Sequence, residues 1–380
     1  MRLNWIDTAD DLANFCKSVE KKPLAVDTES DHFHAYNAQV CLIQLATEEA
    51  AALVDPLALE AHEMAPLFEI LEDQEVCKVL HAARNDIIEM DRDYGVGLNN
   101  LFDTQIAARF LNYERNSLNW MLEELIGVDT GDQYQRYDWT TRPLPEEVQR
   151  YAGDDVRHLL ELRQRFTEEL KEEGWFEAFN QQCTYVAGAS VHRSKEFDPE
   201  KWRKLRGADR LNGRDRAALA ALFKYRHQLC EELNQSAVTF FPNAALMRLV
   251  KYKPTDLGQM ANIKGMPQAL VDDHGQGIID VIAASKADPI PPEELPDDER
   301  DRRPRPSEAE RARYNALRKW RNQKADQLQI PSPFIGTNAT FGELAAAAPG
   351  TVDELLRIDG ILPWHCELFG DDLLAICRGS

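Results

Sequence analysis

Leu24-Ala25-Val26-Asp27-Thr28-Glu29-Ser30 is an apolar run that ends in two acidic residues. The apolar start predicts a buried β-strand, and Asp27 and Glu29 lie on one face of it because alternate residues of a strand share a face. The two carboxylates repel each other by about 4 kcal/mol at ~4 Å and an effective dielectric constant of about 20, a cost that a bound cation would remove. Taken alone, this pattern is more often a strand that ends at the solvent with an acidic tail.

Short strand-like and helical segments alternate around this run. Three consecutive strands, arranged as a meander, are predicted over 23–29, 40–47 and 51–55. A fourth strand is predicted over 76–81, between helices over 64–72 and 86–94, and the pattern after Leu101 is mainly helical. We therefore expect residues 1–180 to form an α/β domain in which a mixed sheet is covered by helices.

The 380 residues, 43% of them hydrophobic and 29% charged, have the composition of a globular protein with roughly two or three domains. A disordered, collagen-like or disulfide-stapled chain is excluded. No uncharged stretch is apolar enough to span a bilayer, and the first residues lack the apolar core of a signal peptide. The seven cysteines form no CxxC pair, which indicates reduced thiols in a cytoplasmic protein rather than a zinc site.

Charge is distributed unevenly along the chain, which has a formal net charge of −21. Residues 1–180 carry 16 basic and 37 acidic side chains, whereas residues 181–254 carry 14 basic and 7 acidic ones. Because contact with nucleic acid phosphates needs Lys and Arg, the basic middle block is where a polyanion would dock. A solvated charged face beside an acidic neighbour explains the charge pattern equally well.

An internal repeat at an offset of 95 residues fills the carboxy-terminal part of the chain. Leu222, Lys224, Arg226, Gln228 and Leu233 recur as Leu317, Lys319, Arg321, Gln323 and Leu328. Residues 207–286 and 307–380 are therefore predicted to be two copies of one small all-α domain. We expect residues 181–206 to be a connector and the proline-rich, acidic residues 287–306 to be a stiff linker between the copies.

Further side chains accompany Asp27 and Glu29. Tyr151 and Asp155 are four residues apart, on one face of a predicted helix, and Asp86 lies where an apolar strand turns into a helix. Each feature alone is more often a helix-face pair or a helix N-cap. Together the carboxylates offer only hard oxygen ligands, which favours Mg²⁺ or Mn²⁺ over zinc. Such a cluster has room for two divalent cations, an arrangement suited to in-line phosphoryl transfer.

The motifs around these positions resemble the ribonuclease D family. The resemblance rests on Val26-Asp27-Thr28-Glu29, Cys41-Leu42-Ile43-Gln44-Leu45, Leu80-His81-Ala82 with Asp86, Phe102-Asp103-Thr104, Tyr137-Asp138-Trp139 with Arg142-Pro143-Leu144, and Tyr151 with Asp155. It implies a DEDD exonuclease with a ribonuclease-H-like sheet, of the tyrosine variety, because Arg150 stands where the other variety needs histidine. The two repeats resemble the HRDC domain, in Ile263-Lys264-Gly265 with Gly275 and Ile358-Asp359-Gly360 with Gly370.

The resemblance implies a role for each motif residue. Asp27, Glu29 and Asp155 would hold one divalent cation. Asp27 would be shared with a second cation, on which Asp86 acts partly through water, and Tyr151 would orient the attacking water. The implied activity is metal-dependent hydrolysis of RNA from a free 3′ end, with tRNA precursors as substrates and 5′-mononucleotides as products. No membrane contact and no obligate protein partner are expected.

Residues that contact RNA are also expected. Beside the site these are Thr28 and His81, and in the basic block they are Arg226, Lys251 and Lys253, with Tyr225 or Trp202 as stacking faces. Because Lys224 and Arg226 recur in the second copy, helix-surface salt bridges are an alternative role for them.

Two other functions remain open at this point. One is a DNA 3′→5′ exonuclease, since the same cations attack either backbone, and the other is a nucleic-acid-binding module without activity. The chain also departs from the family pattern at two positions. Asp132 replaces a lysine and Ser30 an aromatic residue, changes that bear on phosphate and base contact but remove no metal ligand.

Overall fold

The computed structural model describes residues 2–128, 134–188, 197–287, 289–290 and 306–379. The chain forms two compact units, and each unit combines segments that are distant in sequence. One unit comprises the described residues of 1–29, 40–192 and 304–380, and the other comprises those of 30–39 and 193–303. The first unit therefore contains the α/β domain and the second helical repeat, and the second unit contains the first repeat.

Within the described residues, a six-stranded sheet forms the centre of the first unit. Its strands are β1 (Arg2–Ile6), β2 (Leu24–Ser30), β3 (Val40–Ala46), β4 (Ala50–Val54), β5 (Lys78–Leu80) and β6 (Leu101–Asp103). They lie in the order β1-β4-β3-β2-β5-β6, so β2, β3 and β4 are neighbours as the predicted meander requires. β1 pairs parallel with β4, β2 with β5 and β5 with β6, whereas β3 and β4 are antiparallel. The mixed sheet predicted from the sequence is confirmed.

Helices surround this sheet and carry part of the site. They are α1 (Ala9–Val19), α2 (Ala65–Glu72), α3 (Arg84–Tyr94), α4 (Thr104–Phe110), α5 (Leu118–Met121), α6 (Glu146–Arg157), α7 (Leu159–Glu172) and α8 (Phe176–Ala187). α6 packs against β3 and β4, α7 against β5, and α8 against β6. β3, β5 and β6 are completely buried, and β4 is buried except for its first residue.

The sequence pattern does not predict β1 and β6. β6 has three residues, and β1 alternates polar and apolar residues over only five, so neither gives a clear periodicity. Each forms a strand by pairing in parallel with a segment that is distant in the chain. Strand formation at these two places therefore depends on tertiary packing more than on local sequence.

Each helical repeat folds into a small bundle. The first contains α9 (Gly213–Glu232), α10 (Asn243–Tyr252), α11 (Leu257–Ala261) and α12 (Gln268–Ala284). The second contains α13 (Glu308–Leu328), α14 (Ser332–Ile335), α15 (Asn338–Ala347), α16 (Val352–Leu355) and α17 (Pro363–Arg378). The predicted linker over 287–306 lies largely outside the described residues, as does Asp132.

An arginine at the same position of each repeat makes equivalent hydrogen bonds. Arg226 donates through Nη1 to the Phe241 carbonyl (3.3 Å) and to Oδ1 of Asn243 (2.6 Å). Arg321, 95 residues further on, donates to the equivalent carbonyl (2.9 Å) and to Oδ1 of Asn338 (3.1 Å). The recurring arginine therefore fastens the start of α10 or α15 to the long first helix of its own repeat.

The second repeat shares its core with the α/β domain in the first unit. The Phe110 ring of α4 stacks on Phe334 with ring centroids 4.7 Å apart and meets the edge of Trp364 at 5.8 Å. The Tyr185 hydroxyl of α8 donates to Asp359 at 3.0 Å. Phe110 and Trp364 are each 2% exposed, so this contact is part of the apolar interior.

Two general features agree with the composition. Among the described residues, every helix is too short or too polar to span a lipid bilayer. All seven cysteines lie in the described residues, and each is a thiol.

Candidate active site

β2 and α6 bring three carboxylates together. Asp27 and Glu29 project from β2, two residues apart, and Asp155 projects from α6. Ligand oxygens of the three carboxylates all lie within 4.8 Å of one another. Asp155 is 6% exposed, and Asp27 and Glu29 are half-buried. Residues from distant parts of the chain thus form one acidic cluster.

Asp86 is fastened to the same strand from the first turn of α3. Its Oδ1 accepts hydrogen bonds from the Thr28 hydroxyl (2.6 Å) and from the Thr28 backbone N–H (3.1 Å). Thr28 stands between the two acidic residues of β2, so these bonds align Asp86 with them. The N-cap of α3 is Ala83, so the interpretation of Asp86 as an N-cap is wrong.

Asp103, at the end of β6, is a supporting residue that the sequence analysis did not assign to the site. Its carboxylate accepts from the N–H groups of Ala82 and Ala83, at 3.0 and 2.9 Å, just before α3 begins. It also accepts from two N–H groups at the start of α4, at 2.8 and 3.2 Å. Ala82 has a φ of 58°, which is rare for residues other than glycine. Asp103 therefore holds the turn that places Asp86, and the Phe102-Asp103-Thr104 motif is its signal in the sequence.

Burial and nearby carboxylates raise the pKa values of all four acidic residues of the site. Burial, followed by the charges of the other three carboxylates with Asp86 first, raises the pKa of Asp27 well above its usual range. Burial, followed by Asp155, does the same to the pKa of Glu29. Burial raises the pKa of Asp86 to about 7, and burial with the charge of Asp154 raises the pKa of Asp155 to about 7. Without a cation, the cluster retains protons that isolated carboxyl groups release near pH 4.

Tyr151 lies one helical turn before Asp155 on α6 and is 8% exposed. Its side chain is hydrogen-bonded to Asp155, and its ring meets Tyr134 edge-on with centroids 5.4 Å apart. Burial, followed by the charge of Asp155, raises the pKa of Tyr151, so the phenol keeps its proton at neutral pH. The hydroxyl is therefore a fixed hydrogen-bond donor beside the carboxylates.

The cluster has the chemistry of a divalent cation site. Its donors are carboxylate oxygens, the ligands that Mg²⁺ and Mn²⁺ prefer. The charged groups that raise the pKa values of Asp27 and Glu29 are themselves carboxylates, so negative charge accumulates at one buried point. A cation there would lower the pKa of every carboxyl group around it. The residues present therefore fit a divalent cation.

Comparison with known families and proteins identifies the domains of this chain. Residues 3–171 match the 3′-5′ exonuclease family, and residues 215–282 and 310–377 each match the HRDC domain. Ribonuclease D of Escherichia coli K12 is 31% identical over 302 residues, an alignment that covers 78% of each chain. This chain belongs to the ribonuclease D family. It has the family's 3′-5′ exonuclease domain followed by two HRDC domains, as predicted.

A solved structure and a longer relative extend the comparison. The crystal structure of E. coli ribonuclease D, described as an exoribonuclease involved in structured RNA processing, matches all of both chains with a TM-score of 0.68 at 26% identity. Protein RRP6-like 2 of Arabidopsis thaliana is 30% identical over 278 residues, which are 71% of this chain. The chain spans about a third of that relative's length (32%). The ribonuclease D match confirms the predicted fold class.

Two residues expected to contact RNA beside the site have partners within the protein. Nδ1 of His81 lies 3.0 Å from the Thr104 hydroxyl. Burial, followed by the charge of Arg109, lowers the pKa of His81 to about 4, so the imidazole is neutral at physiological pH and offers no charge to a phosphate. The Thr28 hydroxyl is bound to Asp86. RNA contact by Thr28 and His81 stays a prediction.

The expected cations of the first HRDC domain differ in their surroundings. Arg226 is bound within its own repeat, as described above. Lys253 forms an ion pair with Asp215. Lys251 is exposed, and its ammonium lies 5.2 Å from the ring centroid of the exposed Tyr252. Lys251 therefore has the most accessible charge of the three.

Burial excludes one of the two expected stacking faces, whereas base stacking by Tyr225 stays a prediction. Trp202 is 1% exposed and belongs to the apolar core of the first HRDC domain, so the expectation that it stacks on a base is wrong. Burial of the indole ring among apolar residues is more favourable than its exposure to solvent. The Tyr225 hydroxyl packs against Gly277 of α12, where a larger residue would clash with it.

Proposed function

We propose that the protein is a metal-dependent 3′→5′ exoribonuclease that hydrolyses the terminal phosphodiester of RNA and releases 5′-mononucleotides. The observation that carries this proposal is the acidic cluster, in which oxygens of Asp27, Glu29 and Asp155 lie within 4.8 Å and Thr28 fastens Asp86 alongside. Membership of the ribonuclease D family supports RNA as the substrate.

Two divalent cations, Mg²⁺ or Mn²⁺, are assigned to the cluster. Asp27, Glu29 and Asp155 would hold the first, and Asp27 together with Asp86 the second. When bound, the cations activate water and stabilise the leaving 3′ oxygen. The set of oxygen donors and the raised pKa values support this assignment, because a bound cation would take the place of the protons that the crowded carboxyl groups retain.

Side chains of the protein would position the attacking water and the Asp86 carboxylate. Tyr151 keeps its proton and would hold the attacking water by a hydrogen bond, beside Asp155 on the same helix face. Thr28 keeps Asp86 in line with β2. Asp103 fixes the turn before α3 and thereby the position of the Asp86 backbone. These contacts preorganise the site before substrate arrives.

The substrates we propose are RNAs with a free 3′ end, and tRNA precursors in particular. The E. coli relative acts in structured RNA processing, which supports structured RNA here. Lys251 and Tyr252 form an exposed pair of a cation and an aromatic ring, which suits contact with a phosphate and a base. We place the protein in the cytoplasm, where thiols such as its seven cysteines stay reduced.

The test uses a 3′-extended tRNA and a single-stranded DNA of the same sequence. Wild type, Asp27→Asn and the control Asp10→Asn, which changes an exposed carboxylate on α1, are assayed in Mg²⁺, Mn²⁺ and EDTA. We expect stepwise shortening of the RNA from its 3′ end in wild type and control. Asp27→Asn is expected to lower the rate by at least about a hundredfold, because it removes a charged ligand.

Each other outcome contradicts the proposal in a specific way. Shortening of DNA alone identifies a DNA exonuclease. No product from a folded protein that still binds RNA identifies a binding module. Shortening that persists in EDTA excludes the metal mechanism.

A further inference from the structure

The segment 31–39 joins β2 to β3, yet it belongs to the second compact unit together with the first HRDC domain. The Ser236 hydroxyl donates to the His32 carbonyl at 2.8 Å, and the Thr239 hydroxyl donates to the Phe33 carbonyl at 2.8 Å. The Ser236 N–H donates to the carbonyl of His34 at 3.1 Å. Three successive carbonyls of the segment are thus held by one turn of the HRDC domain.

Side chains of the segment strengthen this attachment. The Tyr36 hydroxyl is hydrogen-bonded to Nδ1 of His227 on α9, and the Tyr36 ring packs against the core of the HRDC domain. The Asn37 N–H donates to Oδ1 of Asn234 at 3.2 Å. The segment is therefore packed as a part of the HRDC domain and not as a loose surface loop.

The two ends of the segment are tied to each other. The Asp31 N–H donates to the Gln39 carbonyl at 3.3 Å, and the Gln39 N–H donates to Oδ1 of Asp31 at 2.7 Å. Asp31 follows the metal-site residue Glu29 by two positions in the chain. The segment 31–39 is therefore closed at its base, directly after the last residue of β2.

The tie between Asp31 and Gln39 matters because the carboxylates of the metal site carry like charges when they are ionised. Once the cluster releases its protons, as cation binding requires, the neighbouring carboxylates repel Glu29 and act to move its side chain outward at the end of the strand. A strand end that is tied down resists that movement and keeps the ligand oxygens close while the site is empty. Preorganisation of this kind lowers the free energy needed to bind a cation.

We propose that Ser236 and Thr239 of the first HRDC domain are positioning residues for the metal site. By fixing the segment 31–39, they hold the end of β2 and keep the Glu29 carboxylate in the geometry that binds a divalent cation. The inference rests on the proposed function, because it takes the acidic cluster to be the cation site. It gives the first HRDC domain a task that is separate from any contact with RNA.

The test measures Mn²⁺ binding to the full-length protein in the absence of RNA, by electron paramagnetic resonance of the unbound ion. The variant Ser236→Ala/Thr239→Val removes both side-chain hydrogen bonds to the segment, together with the hydroxyl contacts inside the 236–239 turn, with little change of shape. Since a neutral hydrogen bond changes an equilibrium by about two- to twelvefold, we expect the Kd for Mn²⁺ to rise by about tenfold. Hydrogen exchange of the amides in 31–39 is expected to accelerate.

Three comparisons make the result specific. Ser285→Ala/Thr255→Val removes hydroxyls elsewhere in the first HRDC domain and should leave the Kd unchanged. Thr239→Ser keeps the hydroxyl and should bind Mn²⁺ like the wild type. The two single variants are measured as well, so that a double variant that fails to fold does not end the experiment. In turnover assays the double variant should need more Mn²⁺ for half-maximal kcat while the KM for RNA stays the same.

An unchanged Kd in variants whose 31–39 amides exchange faster would overturn the inference. A change in the KM for RNA with no change in Mn²⁺ binding would also overturn it, since it would assign these residues to substrate contact. The proposed function fails separately, if wild type binds Mn²⁺ but does not shorten RNA. In that case the Mn²⁺ titrations still decide the positioning role.

Discussion

Replacing Asp155 by asparagine should make the metal-free protein more stable while abolishing activity. Oxygens of Asp155 and its neighbours lie within 4.8 Å, so each ionised pair repels by about 3 kcal/mol at an effective dielectric constant of ~20. The pKa of Asp155, about 7 against 3.8 for an unperturbed group, implies that ionising it in the folded state costs about 4 kcal/mol at pH 8. Because the buried amide loses some of this gain, we expect a net stabilisation of about 2 kcal/mol.

The sign of the pH dependence follows from the raised pKa. A carboxyl group whose pKa is higher in the folded state stabilises the protein at low pH, and that stability is lost as the pH rises towards 7. The advantage of Asp155→Asn should therefore be largest near pH 8 and small near pH 4. Thermal unfolding in EDTA at several pH values measures it, and 2 kcal/mol corresponds to a rise in Tm of about 3 °C for a protein of this size.

A matched control separates this effect from a general change of charge. Asp10→Asn removes an exposed carboxylate from α1 and should leave Tm almost unchanged. An Asp155→Asn protein that unfolds in EDTA at pH 8 at the same temperature as wild type, or below it, would contradict a raised pKa of Asp155 in the folded state. The reasoning is also refuted if the difference between the two proteins does not shrink towards pH 4.

Four further predictions concern the site and the helical domains. Adding Mn²⁺ at pH 8 should raise the Tm of wild type more than that of Asp155→Asn, because only a protein that binds the ion gains stability from it. Tyr151→Phe should lower kcat by about ten- to a hundredfold with little change in Tm in EDTA, because it removes the hydroxyl next to Asp155 and keeps the buried ring. Arg226→Met and Arg321→Met should each destabilise their own repeat by about 2 kcal/mol, seen as faster hydrogen exchange in α10 or α15 respectively, and equal effects on both helices in either variant would contradict this. Trp364→Ala should destabilise the first unit by about 3–5 kcal/mol, since the ring is buried against α4, and a loss below 1 kcal/mol would show that the contact is dispensable.

The longer strands and the local geometry of the site are predictable from the sequence because they depend on near neighbours. β2, β3 and β4 lie within a residue or two of the predicted segments, since apolar runs of five to seven residues with clear ends leave few alternatives. That Asp27 and Glu29 share a face follows from the strand period alone. The short strands β1 and β6 depend on distant partners, and the sequence does not reveal them.

The supporting contacts of the site could not be read from the sequence. Thr28 has an ordinary residue type for a strand, and only the fold shows that its hydroxyl binds Asp86, 58 positions further on. The motif predicts that Tyr151 and Asp155 belong to the site. Their distance from β2, however, depends on how α6 packs on β3 and β4. The sequence shows the repeat as a pattern of identical residues. Only the structure shows why Arg226 and Arg321 recur: each donates hydrogen bonds to a carbonyl 15 residues and to an asparagine 17 residues further along the chain.

The division of the chain between the two units has a consequence for its synthesis. The first unit combines the described residues of 40–192 with those of 304–380, which leave the ribosome later. Until then Phe110 has neither Phe334 nor Trp364 to cover it, so the nascent exonuclease domain exposes an apolar surface. The segment 31–39 likewise emerges long before Ser236 and Thr239. Neither unit reaches its final form from one continuous stretch of chain, and a chain cut short before residue 304 leaves Phe110 without the cover of Phe334 and Trp364.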